Sequence, residues 1–279
     1  MLPTPIYLTE LFPLLDQRLI ELLRSLSAAD WQRPTVCRGW SVKDITAHLL
    51  DGNFRRIAIN RDGYESPEKP VIESYQDLVN HLNQLNAEWV KATRRLSPNL
   101  LIDLLEQSGR QVYEAFCQLP PHETATFSVG WAGDETSENW FDIAREYTER
   151  WHHQQQIRLA VDRPGDLLSQ PFHYPLLDTF MRALPHTYRH TAAPTGSVVQ
   201  VTVSGEGGGV WQLLRQFDAW LLTGQSREIV PTASVSIDEK IAWRLFTKGI
   251  GRLDALPYLH FGGDRRLAEK ILDMIAVMG

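Results

Sequence analysis

Apolar positions along the first ~160 residues recur at helical intervals, with polar and proline-bearing breaks between them. Leu11, Leu14, Leu15, Leu19, Leu22, Leu23 and Leu26 mark a first helix, which ends before the polar connection SAADWQRPTVCRGW. A second helix starts in RGWSVKDITAHLL and runs to about Ile59, ahead of RDGYESPEKP, whose two prolines and glycine predict a loop. Its start is written in the sequence. Ser41 is a favourable N-cap with Asp44 three residues on, and Trp40 and Ile45 bracket them as a hydrophobic staple. Tyr75, Leu78, Leu82, Leu85 and Trp89 give a third helix one broad apolar face. Ser97-Pro98 closes it and opens a fourth, NLLIDLLEQSGRQVYEAFCQL, with Gly109 as an interior weak point. After an irregular stretch, ENWFDIAREYTERWHHQQQIRLAV is the last long helix, and Pro164-Gly165 marks its exit.

Beyond this point the pattern changes. A helical or mixed stretch around PLLDTFMRALPHTYRH precedes GSVVQVTVSG, whose β-branched run predicts a strand. VWQLLRQF is expected to return as a second strand and EIVPTASVSI to supply another. DEKIAWRLFTKG and DRRLAEKILDMIAVM read as helices. The expected architecture is an α-helical bundle over residues 1–168, followed by a smaller α/β or α+β domain over 169–279. The glycine run GEGGG lacks both the GK[ST] ending of a phosphate loop and dinucleotide-binding spacing, so it is expected to be a surface turn.

Composition narrows the function classes. The chain of 279 residues is 43% hydrophobic and 22% charged, and 28 basic against 34 acidic residues leave a net charge of −6. That balance gives no electrostatic footprint for nucleic acid or an anionic membrane. The two cysteines, Cys37 and Cys117, are too few for a disulfide framework and are expected as reduced thiols. Without a signal-like start or a long apolar run, a cytoplasmic protein acting on a small molecule is expected. Nothing in the pattern specifies an oligomeric state.

The candidate chemistry lies in the histidines. On the second helix His48 falls with Val42, Ile45 and Leu49, facing the bundle, where it is either a satisfied core histidine or one corner of a site. Glu149 and His153 are four residues apart on the last long helix, which brings their Cβ atoms to roughly 6 Å on one face. Two histidines and a carboxylate suit zinc or another divalent transition metal, although a Glu–His pair at this spacing also occurs on plain helix surfaces. His152 is rotated by roughly 100° from His153 and is expected to lie off the ligand face. Cys37 reads as a small packed side chain rather than a nucleophile. Arg244 either reaches an anionic ligand or caps a local carboxylate.

The stretches WQRPTVCRGWSVKDITAHLL and REYTERWHHQQQIRLAV resemble the mycothiol-dependent maleylpyruvate isomerase family, within the DinB-like superfamily of metal-binding four-helix bundles. The region around AWRLFTKG is similar to the accessory domain of such proteins. The resemblance implies an up-down four-helix core with extra helices, and His48, Glu149 and His153 as ligands of a divalent metal. That metal would be zinc, with nickel or another transition metal as substitutes. It also implies a low-molecular-weight thiol such as mycothiol as co-substrate. Trp151 and Arg244 become candidates for the cavity that receives it. The implied activity is a thiol-dependent transferase or isomerase on a small electrophile: the thiolate adds to a cis double bond, rotation follows, and elimination gives the trans isomer. A metal-assisted hydrolase and a non-enzymatic metabolite-binding protein are the alternatives. Two positions depart from the family pattern: Gln156 stands where an aspartate is common, and Gln225, with Arg227 slightly later, where Gly-Arg is common.

Overall fold

A computed structural model describes residues 4–67, 70–224 and 230–277. Gln225 and Arg227 lie outside the described residues. Helices occupy α1 (Phe12–Arg24), α2 (Val42–Arg56), α3 (Tyr75–Thr93), α4 (Pro98–Cys117) and α5 (Asn139–Ala160). Shorter helices α6 (Gln170–Met181) and α7 (Leu184–Tyr188) follow. A five-stranded mixed sheet comes next, interspersed with α8 (Glu239–Phe246), α9 (Arg252–Ala255) and α10 (Arg265–Glu269). A helical bundle followed by a smaller sheet-containing part is therefore the fold, as the sequence pattern predicts.

The helix starts follow local chemistry. Ser74 and Ser97 each accept a bond from the backbone N–H three residues on, and Pro98 occupies the first turn of α4, where its missing N–H costs nothing. α2 ends in a π-helical turn, Ile57–Arg61. Contacts group the chain into two compact units. One joins Leu8–Pro121 with Arg150–Pro164; the other joins residues 4–7, His122–Glu149 and Gly165–Val277.

In the first unit, α4 packs on α1 and α2, and α3 packs on α2. Leu19, Leu23, Ile45, Leu50, Leu101 and Ile157 are central to one apolar cluster. The end of α5 is sealed among these helices, yet its sequence is polar. His152, Gln154, Gln155, Gln156 and Arg158 are all buried. A helix buried all round is normally apolar all round, so here each polar side chain requires a partner. Arg150 Nη1 donates to both carboxylate oxygens of Asp16 at 2.7 Å, and its Nη2 donates to Asn53 Oδ1 at 2.6 Å. Gln154, with its amide turned to match its surroundings, donates to the Leu15 carbonyl and accepts from the Leu19 N–H. Arg158 donates to the Arg18 carbonyl at 3.0 Å.

In the second unit the strands are β1 (Val198–Val203), β2 (Gly209–Gln216), β3 (Ala219–Thr223), β4 (Ala233–Ile237) and β5 (Leu259–Gly263), in the order β3-β2-β1-β4-β5. Only β1 and β4 pair in parallel. The glycine run is the β1–β2 turn, as expected, but part of it is buried. A Cβ at Gly207 would fall 2.4 Å from the Leu168 carbonyl oxygen and 2.5 Å from His173 Cβ, so this turn packs rather than simply projecting into solvent. β3 and β5 were not expected. The terminal helix is also shorter than its pattern predicts: Met274 is extended, and the Ala276 N–H bonds to the Phe246 carbonyl instead of continuing a helix.

Gly109 shows how closely the first unit is fitted. A Cβ there would stand 2.5 Å from an Asp16 carboxylate oxygen, which Arg150 holds in place. Alanine gains about 1 kcal/mol in helix propensity, whereas overpacking costs about 1–3 kcal/mol. Gly109→Ala is expected to lower unfolding free energy by about 1 kcal/mol in urea titration. An unchanged or higher midpoint would mean that Asp16 swings aside freely.

Candidate metal centre

The segment leading into α2 is a small hairpin of main chain. Pro34 and Ser41 form an isolated antiparallel bridge, the Thr35 N–H bonds to the Trp40 carbonyl at 3.0 Å, and the Val42 N–H bonds to that of Arg33. Gly39 takes φ +83°, a left-handed conformation that favours glycine, between Cys37 and Trp40. Thr35 Oγ1 donates toward the carbonyls of Cys37 and Trp40 and accepts from the Cys37 N–H. Both halves of the capping box are formed: Asp44 N–H donates to Ser41 Oγ, and Ser41 N–H donates to Asp44 Oδ2 at 3.0 Å. This rigid entry sets the rotation of α2 and therefore the direction of His48, one turn further along.

His48 is half-buried, and its ring lies 4.7 Å from that of His153, at an interplanar angle of 78°. The indole of Trp40 stands on another side at 5.1 Å. Trp40, read from sequence as a staple residue, thus also walls the histidine. Asp51 is on the same face of α2, three residues beyond His48. Burial raises its carboxyl pKa above the usual range, and Arg55, at 3.2 Å, opposes that shift.

On α5, Glu149, His152 and His153 place one ligand atom each within 4.8 Å of one another. The expectation for His152 is therefore corrected. Its ring centroid is 4.0 Å from that of His153, because the side chain folds back toward its neighbour instead of following the Cβ direction outward. His153 Nδ1 is 2.9 Å from Gln156 Oε1, and both residues are buried.

Trp151 is fully buried on α5. Arg244 belongs to α8, where its guanidinium donates to the Gly249 main-chain carbonyl at 3.4 Å. Burial raises the Cys37 thiol pKa, which keeps it protonated and agrees with the packing role. Cys37 and Cys117 are both free. Among the described residues, no helix is long and apolar enough to cross a membrane.

A family model described as the mycothiol maleylpyruvate isomerase N-terminal domain matches residues 12–158. The chain belongs to this family. The match runs from the first residue of α1 to near the end of α5, so it spans the helices that carry His48, Glu149 and His153. Among solved structures, the chain is similar to a histidine-to-alanine mutant of the mycothiol-dependent maleylpyruvate isomerase. That likeness has a TM-score of 0.51 at 14% identity and covers 85% of this chain and 86% of the other. It shows a shared fold. A second structure of an isomerase of that name aligns with a TM-score of 0.49 at 13% identity over the same shares. No curated protein matches the chain.

The Ser41 cap supports the helix that presents His48, so its loss has a measurable cost. Ser41→Ala is expected to destabilise the fold by about 1 kcal/mol, read as a lower denaturant midpoint at unchanged slope. No change in midpoint would separate the entry of α2 from its stability.

Proposed function

We propose that the protein is a divalent-metal-dependent, low-molecular-weight-thiol-dependent transferase or isomerase acting on a small electrophilic substrate. The observation that carries this reading is the approach of the His48 and His153 rings to 4.7 Å, with Glu149 one turn before His153. Family membership supports it. In this reading the ligands are His48, Glu149 and His153, with His152 close enough to compete or substitute. The helical region to residue 168 carries the centre, and 169–279 is the accessory part.

The donor set fits such a metal. Neutral imidazoles and a carboxylate suit zinc, and nickel or another first-row divalent ion is acceptable to the same donors. When bound, the cation supplies positive charge that makes a nearby thiol easier to deprotonate. The chain's own residues do the rest. Gln156 accepts from His153 Nδ1 and holds that ring in the tautomer whose Nε2 is a donor of electrons. Trp40 limits His48 on one side and keeps bulk water from that edge. The thiol is mycothiol or a chemical equivalent, and its target is a carbon open to nucleophilic addition, such as a cis enedioate. Those steps need no nucleophile from the protein, consistent with the protonated state of Cys37.

The test is metal content. Protein purified without a histidine tag is expected to contain, or to take up in titration, one zinc or nickel per chain. His153→Ala is expected to lose that metal while keeping its helical circular dichroism. Wild-type protein that binds neither ion sinks the reading, and full metal content in the variant removes His153 from the centre.

Chemistry is tested separately. Turnover of small electrophiles, cis enedioates included, is expected only when a thiol is supplied. Product release from water alone would assign a hydrolase instead. Retention of a metabolite without turnover would assign a binding protein.

A further inference from the structure

Two rings on different helices can share one ion only if the helices hold their register to a fraction of an ångström. The capping box fixes the rotation of α2, but not its position along α5. That position is set by a different group of residues, one turn from the rings. Arg150 precedes His153 by three residues on α5, and Asn53 follows His48 by five on α2. Arg150 Nη2 donates to Asn53 Oδ1 at 2.6 Å, a bond between two buried side chains. Asn53 is itself held, since its Nδ2 donates to Ser108 Oγ on α4 at 2.9 Å. On the other side, the Asp16 carboxylate receives Arg150 Nη1, and the guanidinium lies 5.0 Å from the Phe12 ring centre.

We propose that Arg150 and Asn53 are positioning residues for the His48–His153 pair, and that the bond between them sets the register of α2 against α5. The inference rests on the reading of that pair as part of a metal centre. The two links of Arg150 have different jobs. Asp16 neutralises a buried cation and ties α5 to α1, which carries none of the proposed ligands. Asn53 ties α5 to the helix that carries His48. A buried guanidinium satisfied only by carboxylate would meet the charge requirement equally well, so the bond to a neutral amide has a geometric consequence rather than an electrostatic one. A cavity of about 10 Å³, lined by Leu19, Leu49 and Leu105 beside Arg150 and Asn53, has room for about one water.

The experiment compares Asn53→Ala with Asp16→Asn in the full chain, using three measurements. Zinc affinity is read by competition with a chromophoric chelator, stability by thermal melting, and ring geometry by imidazole nitrogen NMR of the metal-free protein. Asn53→Ala is expected to weaken zinc binding about 10-fold, the scale seen when outer-shell supports of metal ligands are removed. It is also expected to move the His48 and His153 ring signals. Asp16→Asn is expected to lower the melting temperature at least as much, with zinc affinity and ring signals unchanged. Equal loss of zinc affinity in both variants, in step with melting temperature, overturns the proposal, as does unchanged affinity in Asn53→Ala. If wild-type protein binds no zinc, the metal reading fails, and the ring signals alone decide: shifts in Asn53→Ala but not Asp16→Asn retain the positioning role, and any other pattern removes it. Should Asn53→Ala not fold, Arg150→Lys, which keeps the charge against Asp16 but loses the planar fork, carries the same expectations.

Discussion

A guanidinium sealed inside a helical bundle has to be met by acceptors wherever its N–H groups point, and the helices must be placed where those acceptors can be supplied. Arg150 imposes that requirement here, and Gln154 and Arg158 repeat it at four-residue intervals along the same face of α5. All three reach α1, through the Asp16 carboxylate and the main chain at Leu15, Leu19 and Arg18. An apolar seam would tolerate a few degrees of rotation or a small slide. Directional bonds at three successive turns do not. With that face committed to α1, the neighbouring face of α5 is left with Glu149, His153 and Gln156.

Much of this was legible from the sequence because it is local. The Ser41–Asp44 box, the serine caps at Ser74 and Ser97, and the proline at the start of α4 each depend on residues within a single turn. The inward facing of His48 follows from helical periodicity, and the pairing of Glu149 with His153 follows from four-residue spacing. His152 escaped because periodicity places Cβ atoms, while an imidazole reaches far enough to fold back beside the next residue. The Arg150 tie escaped for a different reason. Its partners lie 134 and 97 residues away in the chain, and an arginine in a polar run gives no sign that it is buried.

The sheet was legible where β-branched residues concentrate. β1 and β4 have that composition and sit at the centre, buried on alternate positions. β3 alternates as well, with Trp220 and Leu222 inward, but it is only five residues long and follows β2 almost at once. β5, LHFGG, has two glycines and almost no apolar alternation; it exists because β4 offers an edge to pair with. The shortened terminal helix has the same origin, since a main-chain bond to Phe246 competes with the next helical turn. In each case tertiary pairing outweighs local propensity.

Gln156 gives the site a property that an aspartate at this position would not. A carboxylate in a buried place is a negative charge in search of a counter-ion, and until one arrives it is a cost to the fold. A neutral amide oxygen makes its bond to His153 with no such debt. The ring is therefore oriented by an uncharged partner within the protein itself.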